Sequence, residues 1–561
     1  MLRLLVLVAA LTFTCAHKGH NHHGQSGSTE TSPSKDPVTV TPSGRIRGSW
    51  LQTRRGRRVQ AYRGIRYGAP PTGELRFQPP KPILQYTSEV DARTEGPACP
   101  QPVIDPDYYV DEDCLRLNVY APEKKPTKPL PVLVYIHSGG FYSASGRSDI
   151  AGPDYLLDRD LILVTINYRL ASLGFISTGD KHAPGNNGFK DQVVALKWIQ
   201  RNIAAFGGDP NLVTISGCSA GGVSVMLHMV SPMSKGLFHR AVSISGSPIS
   251  QVAIRLHQKE LAVKQAQLLG CPIDSSEAII SCLKTKPWRD IGNSLDNMFT
   301  FGYDPVLLWA PIVEPDVGQE RFLTENPLES VQKGRMHPVP YIIGQTTKEF
   351  FWKAFSILGN ENYTNIMNSE WERIAPVSFL LPPEKSKESA NRLKQAYLGG
   401  KPLRNDSVTA DGLGKLYGDS VIGFGVHRLA NLMSHRSPHK VFYYEFAYIG
   451  NHSHYEDPVT GKPVGAAHHD DLIYLFGLTA SFPIIPLGDT LDSATVDLMT
   501  GIMYNFAKNG DPNPLEGGGP VWPAMIPQRR QFLRVSSPPT VHENMFEDRF
   551  RVWDELYPLQ Y

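Results

Sequence analysis

A serine flanked by glycines lies between an apolar, β-branched run, residues 212–215, and a segment with helical character, residues 222–229. The serine is Ser219, in residues 217–221 (GCSAG). This order predicts a strand, a sharp turn and a helix, with the serine oxygen lifted clear of the backbone at the apex. A serine hydroxyl is a weak nucleophile at neutral pH, so it needs a base, an acid that orients the base, and donors for an oxyanion. The five-residue pattern also arises by chance, but the strand and helix around it favour a catalytic serine, the nucleophile elbow of an α/β-hydrolase.

Donors for the oxyanion are expected where the chain leaves an earlier buried strand. Gly139 and Gly140 follow the apolar run 133–136 after two residues, His137 and Ser138. Glycines at this place let successive N–H groups point into a site, and the Ala220 N–H of the elbow would complete a pocket of three donors. The alternative is an ordinary Gly-Gly turn, which the position after a buried strand disfavours.

The acid and the base should follow the serine in that order along the chain. Glu349 comes shortly after the predicted strand 341–343 and a turn, although its position alone also suits a surface carboxylate. His468 lies in the loop 465–472 (GAAHHDDL), and its neighbour His469 competes for the role of base. The residues by themselves do not choose between the two histidines.

The elements that must position these side chains follow from the apolar runs. Predicted strands buried on both faces cover residues 133–136, 161–166, 212–215, 241–244, 341–343 and 441–444. Helical periodicity lies between them, for example over residues 191–203. The alternation predicts an α/β fold with a large, mostly parallel sheet, helices on both faces, and ligands at the carboxyl ends of the strands.

Composition narrows the class of protein. The chain has 561 residues, of which 41% are hydrophobic and 20% charged, with a formal net charge of +2 and no basic run. It can therefore bury a large core, and nothing in it attracts a phosphate backbone, so nucleic acid is not an expected partner. We predict one catalytic domain over residues 37–561, a small-molecule substrate and no cofactor; the oligomeric state stays open.

The first residues resemble an export signal. Arg3, an apolar stretch over 4–13 and small residues near 16 predict a signal peptide over 1–16 and a secreted protein. No later stretch is apolar over eighteen residues, so stable membrane insertion is not expected. Residues 17–36 are rich in His and Ser and are expected to be a disordered tail, whose histidines we interpret as incidental rather than as a metal site.

Cysteines and sequons agree with export. Cys15 would leave with the signal peptide and Cys218 lies in the elbow. The four remaining cysteines favour two short loops by proximity, although other pairings stay open: Cys99 with Cys114, and Cys271 with Cys282. Three N-x-S/T sequons, of which we expect about two to carry glycans, begin at Asn362, Asn405 and Asn451.

Several blocks, in order, resemble the type-B carboxylesterases of the cholinesterase and carboxylesterase family over residues 38–553. They are residues 64–71 (GIRYGAPP), 75–77 (LRF), 112–120 (EDCLRLNVY), 167–170 (NYRL), 191–192 (DQ), 206–210 (FGGDP) and the elbow. The resemblance implies Ser219 as nucleophile, Glu349 as acid and His468 as base. It also implies that Gly139, Gly140 and Ala220 are the oxyanion donors and that Cys99–Cys114 and Cys271–Cys282 are the two early disulfides.

Three departures from the family pattern bear on substrate. Ser138 replaces a glycine and is expected to narrow the pocket, and Cys218 replaces an acidic residue that attracts cationic groups in many members. The loop closed by Cys99 and Cys114 is short and lacks a tryptophan for a quaternary ammonium, which Tyr108 and Tyr109 would replace only in part. We therefore predict a hydrolase of neutral carboxylic esters of hormone, pheromone or xenobiotic type. The alternative for the whole protein is a cholinesterase-like adhesion protein without catalysis. For Cys218 the favoured interpretation is a buried, space-filling residue, and the alternative is a thiol that allows redox inhibition.

Overall fold

One large sheet and the helices around it account for most of the computed structural model, which describes residues 35–102, 108–252, 254–514 and 521–561. The expected signal peptide and residues 17–34 of the expected tail lie outside these residues. The strands run in chain order as follows: β1 Val38–Thr41, β2 Gly44–Arg47, β3 Ser49–Gln52, β4 Arg58–Arg66, β5 Val90–Asp91, β6 Arg116–Pro122, β7 Leu130–Ile136, β8 Ile162–Ile166, β9 Gly208–Cys218, β10 Arg240–Ile244, β11 Tyr341–Thr346, β12 Val441–Phe446, β13 Gln531–Val535 and β14 Thr540–Glu543.

Eleven of these strands form the central sheet, in the order β14-β13-β12-β11-β10-β9-β7-β8-β6-β4-β3. Six of its ten pairings are parallel and occupy the middle, while antiparallel pairings lie at both ends. The predicted α/β fold with a mostly parallel sheet is confirmed. The runs chosen from the sequence fall on β7 to β12, whose residues are buried on both faces because helices cover the sheet.

The antiparallel ends of the sheet were not predicted. β4 and β13 carry arginine and glutamine among their apolar residues and are only partly buried, so they lack the continuous apolar run that identified the central strands. A separate three-stranded sheet, β1-β2-β5, lies outside the main one.

Some of the α-helices pack on the two faces of the sheet, and others pack on one another. The helices are α1 Ala171–Phe175, α2 Asn187–Asn202, α3 Ala220–Val230, α4 Lys259–Leu268, α5 Ser276–Thr285, α6 Trp288–Asn293, α7 Pro327–Gln332, α8 Trp352–Leu358, α9 Glu361–Ser369, α10 Trp371–Ser378, α11 Ser386–Leu398, α12 Ser407–Gly418, α13 Phe424–Arg436, α14 Leu491–Asn509 and α15 Glu547–Leu556. Over the described ranges, none combines the length and the apolar character needed to cross a bilayer.

Two of the family-like sequence blocks, residues 167–170 and 191–192, are joined by a buried ion pair. The Arg169 guanidinium donates to both carboxylate oxygens of Asp191, at 2.7 and 2.8 Å, and joins the chain after β8 to α2. Both side chains are almost fully buried, so removal of either one would leave a buried, uncompensated charge on the other. The pair therefore holds the loop that follows β8 against α2. The Ala171 N–H, farther along, donates to the carbonyl of Phe141, the residue after Gly140, at 2.7 Å.

The structure contains two disulfides, Cys99–Cys114 and Cys271–Cys282. Their Cα atoms are 5.0 and 5.7 Å apart, within the usual range for a disulfide. Each closes a short loop, and the described residues leave Cys218 as a free, buried thiol.

Candidate active site

Ser219 occupies the sharp turn between β9 and α3. Its φ of 55° and ψ of −118° lie outside the regions that non-glycine residues usually adopt, and the Ser219 N–H donates to the Ile244 carbonyl at 2.8 Å. The turn is therefore held in an unfavourable conformation by the strands on either side, which places the side chain at the carboxyl edge of the sheet.

Glycines surround this turn because backbone passes too close for a side chain. A Cβ on Gly221 would lie 2.1 Å from the Ile136 carbonyl oxygen. A Cβ on Gly246, after β10, would lie 2.2 Å from the Ser219 carbonyl oxygen. The sequence pattern drew attention to Gly221, but Gly246 is close to Ser219 only in three dimensions.

Glu349 and His468 meet at the carboxyl ends of β11 and β12. The His468 Nδ1–H donates to Glu349 Oε2, and the other carboxylate oxygen accepts from Ser245 Oγ at 2.5 Å and from the Thr346 N–H at 2.8 Å. Glu349 is 4% exposed, so it is not the surface carboxylate that its sequence position also allowed. Ser245 was not identified from the sequence, since nothing near it in the chain marks it as a partner of a residue 104 positions later.

The pKa of Glu349 reflects this environment. Burial favours the neutral acid, but the charge that His468 can carry and the hydrogen bonds from His468, Ser245 and Thr346 hold the pKa of Glu349 below its usual value. The carboxylate is thus ionised at neutral pH and accepts from Nδ1, which leaves Nε2 of a neutral His468 as an acceptor.

The two loops that carry Glu349 and His468 are joined to each other. The Lys348 N–H donates to the Ala466 carbonyl at 2.9 Å, and the Ala466 N–H donates to Thr347 Oγ1 at 3.1 Å. Asp470 closes the second loop by accepting from the Ala467 N–H at 2.8 Å. These bonds fix the acid and the histidine as one unit.

His469 does not contact Glu349. Its ring lies 4.0 Å from that of His468, and burial, followed by the charges of His468 and His454, holds the pKa of His469 well below its usual value. The contact with Glu349 therefore distinguishes the two histidines that the sequence could not separate.

Ser219 and His468 line the same cavity, of about 1180 Å³. His468 Nε2 is buried and has no hydrogen-bond partner among the described residues, so the bond between Ser219 Oγ and Nε2 that proton transfer requires is not made in this structure. The structure thus brings Glu349 and His468 into contact and places Ser219 on the wall that His468 shares.

Gly139, Gly140 and Ala220 lie beside Ser219 on that wall. Gly139 has a φ of 98° and Gly140 a φ of 59°, in the left-handed region that favours glycine. Their N–H groups, and that of Ala220 at the first turn of α3, have no partner within the residues that the structure covers. Three unpaired donors therefore surround the serine.

Aromatic and apolar side chains from distant loops make up most of the cavity wall. They include Tyr142, Phe299, Tyr303, Phe350, Trp352 and Tyr455, together with Val306, Leu307, Val421 and Ile422. No carboxylate lines it, so nothing in the described wall compensates a cationic substrate group. Tyr108 and Tyr109 lie outside this wall, as does Ser138, whose side chain does not narrow the cavity as its sequence position suggested.

A buried polar cluster behind the site includes Cys218 and Asp471. Tyr444 donates to Asp471 Oδ2 at 2.9 Å, and burial, then the charge of Glu349, raises the pKa of Asp471 to about 7. Burial, then the charges of Asp471 and Glu349, also raises the pKa of the Cys218 thiol well above its usual value. Cys218 is therefore an unreactive thiol in this structure, which favours the space-filling interpretation.

The three sequons differ in their surroundings. Asn362, in α9, Asn405, before α12, and Asn451, after β12, are all exposed. The Asn451 amide donates to Asp492 Oδ2 at 2.7 Å, and the sequon's Ser453 is buried. As for metals, the described part of the chain contains no group of three or more His, Cys, Asp or Glu arranged to hold an ion.

Comparison with known proteins places these features in context. The sequence pattern of the carboxylesterase family matches residues 35–553. The chain is 34% identical to a carboxylic ester hydrolase of Bombus ignitus, over 93% of this chain and 94% of that protein, and 36% identical to a juvenile hormone esterase of Tribolium castaneum, over 85% and 84%. It is similar to the crystal structure of juvenile hormone esterase from Manduca sexta with OTFP covalently attached, with a TM-score of 0.82, 28% identity, and coverage of 94% of this chain and 100% of that one.

Proposed function

The chain belongs to the carboxylesterase family and is a carboxylic ester hydrolase, and we propose that it is secreted and cleaves neutral, largely apolar esters by means of Ser219, His468 and Glu349. The family assignment confirms the prediction made from the ordered sequence blocks, and the relatives named as ester hydrolases favour catalysis over a non-catalytic adhesion protein. The observation that carries the proposed mechanism is the hydrogen bond between His468 and Glu349 on the wall that Ser219 shares.

Ester cleavage starts with a proton transfer. Glu349 holds the Nδ1–H of His468, so Nε2 accepts the proton of Ser219 as its oxygen attacks the ester carbonyl carbon. The carbonyl oxygen becomes an oxyanion that accepts from the N–H groups of Gly139, Gly140 and Ala220. Each donor of this kind lowers the barrier by about 3 kcal/mol.

The tetrahedral intermediate collapses when His468 gives its proton to the departing alkoxide. The alcohol leaves and an acyl group remains on Ser219. A water then attacks the acyl carbon, with its proton passing to His468 Nε2, and the acid leaves as Ser219 regains the proton. Glu349 stays ionised throughout and stabilises the imidazolium of His468 in both steps.

The lining of the cavity supports an apolar, uncharged substrate. Its wall is aromatic and aliphatic apart from a few polar groups, and no carboxylate lines it, so a quaternary ammonium would lose its hydration without a counter-charge. Trp352 and Tyr303 line the cavity, but a cation–π contact with either ring supplies no formal counter-charge. Relatives named juvenile hormone esterase and pyrethroid hydrolase are consistent with either a hormone-type or a xenobiotic ester as the substrate.

Secretion is supported by the amino-terminal residues 1–16, by the two disulfides and by a relative named as a venom carboxylesterase. We place glycans on Asn362 and Asn405, whose side chains are exposed, and none on Asn451, whose amide is bound to Asp492. Mass spectrometry of the secreted protein before and after glycosidase treatment tests whether Asn362 and Asn405 carry glycans and Asn451 does not.

The catalytic assignment is tested with matched variants. We expect Ser219→Ala and His468→Ala to abolish both the hydrolysis of p-nitrophenyl butyrate and the labelling by an organophosphate. Ser247→Ala and His469→Gln alter side chains on the same cavity wall and should retain both activities. Activity that persists in the first pair, or a loss in the second pair as large as in the first, would overturn the assignment. A panel of esters with varied acyl and alcohol chains then distinguishes the substrate classes.

A further inference from the structure

A second cavity, of about 830 Å³, lies beside the carboxyl-terminal helix and shares no lining residue with the cavity of Ser219. It lies between the loop after β10, the start of α7, the loop before α11, α13 and the end of α15. Most of its lining is apolar: Pro248, Ile249, Val252, Leu328, Pro382, Leu556, Tyr557 and Pro558. Arg428, on α13, is the buried charged residue of its lining.

Arg428 differs from every other buried cation of the described chain. Five lysine and arginine residues are buried there, and four of them form ion pairs with carboxylates: Arg76 with Glu112, Arg169 with Asp191, Lys190 with Glu314, and Lys353 with Asp304. Arg428 is 5% exposed and forms no ion pair with a carboxylate of the described residues; Asp554 acts on it only as a more distant charge.

The Arg428 guanidinium has hydrogen-bond donors that are not all used. Nη1 donates to the Ser250 carbonyl at 2.9 Å, and the guanidinium carbon lies 5.1 Å from the centre of the Phe424 ring. Nε is buried without a partner. Burial lowers the pKa of Arg428, and the more distant Tyr561 and Asp554 offset this only in part. A guanidinium keeps its proton in proteins, so a buried positive charge stays without an ion-pair partner.

We propose that this cavity is a second ligand site, separate from the site of Ser219, and that it binds an amphiphilic carboxylate such as a medium-chain fatty-acid anion. The carboxylate accepts from the Arg428 guanidinium, and the hydrocarbon chain lies along Ile249, Leu328 and Leu556. Such an anion supplies the counter-charge that the other four buried cations receive from within the chain, while its chain removes apolar surface from water. A fatty-acid anion is also one product class of ester hydrolysis.

The remaining polar groups of the cavity set limits on the ligand. Glu384 and Lys385 are exposed and of opposite charge, so together they change the electrostatic potential in the cavity little. Gln251 donates to the carbonyls of Phe379, Leu380 and Ser420, at 2.9 to 3.3 Å, and its Oε1 has no partner. A carboxylate does not satisfy that oxygen, so we place the anion on Arg428 alone.

Binding of dodecanoate to the full chain, measured by isothermal titration calorimetry, tests the site. Ser219 is first treated with an organophosphate to hinder binding of dodecanoate in its cavity; the comparison with Arg428→Gln does not depend on this block, since Arg428 does not line that cavity. We expect saturable binding in the blocked protein and at least about tenfold weaker binding in Arg428→Gln, the loss typical of a hydrogen-bonded charge pair. Lys385→Gln, which removes an exposed charge from the same cavity, should bind nearly as tightly as the wild type.

A comparison of ligands on the unmutated protein keeps the test valid if Arg428→Gln does not fold. Dodecanol has the same chain without the charge and should bind at least about tenfold more weakly than dodecanoate. The proposal is wrong if the blocked protein does not bind dodecanoate, if dodecanol binds equally well, or if a folded Arg428→Gln protein binds as tightly as the wild type. Hydrolysis that persists in Ser219→Ala would overturn the catalytic assignment and would leave these binding results as they are.

Discussion

Replacement of Glu349 by glutamine should reverse the tautomer of His468, in addition to removing a charge. Oε1 is held by two donors, Ser245 Oγ and the Thr346 N–H. A glutamine amide at this position must therefore place its oxygen on Oε1 and its NH₂ group toward His468. Nδ1 then has to accept, the proton moves to Nε2, and Nε2 can no longer take the proton of Ser219.

The magnitude follows from the burial of the pair. Glu349 is 4% exposed, so water does not screen its charge from the imidazolium that forms during catalysis. Two unit charges about 4 Å apart at an effective dielectric constant of about 20 attract by about 4 kcal/mol. At about 1.4 kcal/mol for each factor of ten, the lost attraction alone slows acylation by about a thousandfold. The reversed tautomer adds to this loss, so we expect kcat/KM to fall by about 10³ to 10⁴.

The assay is kcat/KM for p-nitrophenyl butyrate, with circular dichroism as the check on folding. Glu445→Gln is the matched control, because Glu445 is a buried carboxylate on the neighbouring strand β12 that pairs with Arg534 and does not line the cavity. It should leave kcat/KM within a few-fold of the wild type. A Glu349→Gln enzyme within about tenfold of the wild type would refute both the charge and the tautomer reasoning.

Three further changes have defined outcomes. Gly246→Ala brings a Cβ within 2.2 Å of the Ser219 carbonyl oxygen, so we expect the free energy of unfolding in urea to fall by about 1 to 3 kcal/mol and kcat/KM to fall at least about tenfold. The control is Gly236→Ala, where a Cβ meets nothing within 4 Å, which should cost about 1 kcal/mol of stability and keep activity. Equal effects of the two variants would contradict this reasoning. The pKa of Asp471 is raised to about 7, so between pH 5 and 7 the folded protein holds a proton that the unfolded chain has lost. As the pH rises from 5 to 8, the wild type should therefore lose thermal stability relative to Asp471→Asn. Melting temperatures that change with pH in the same way in both proteins would disprove this. Iodoacetamide at pH 8 should leave the rate unchanged because the Cys218 thiol is buried, and inactivation with an adduct on Cys218 would show the opposite.

The central sheet and the elbow could be predicted because their signals are local in sequence. Continuous β-branched runs mark strands that are buried on both faces, and a serine between glycines at the end of such a run marks a strained turn. The strands β4 and β13, each next to an edge strand of the sheet, were not predicted because partly exposed strands mix polar and apolar residues. The family resemblance went further, since it identified His468 and Glu349 before any contact was known.

The sequence by itself therefore determined the fold class, the family and the position of the serine turn, all of which depend on residues close together in the chain or on ordered blocks. Only the tertiary structure decided that Ser245 holds Glu349, that the cavity wall comes from loops as distant as those of Phe299 and Tyr455, and that Arg428 has no ion-pair partner among the described residues. These features depend on side chains separated by tens to hundreds of residues, and their contacts arise only when long-range packing brings the loops together at the carboxyl edge of the sheet and around α13.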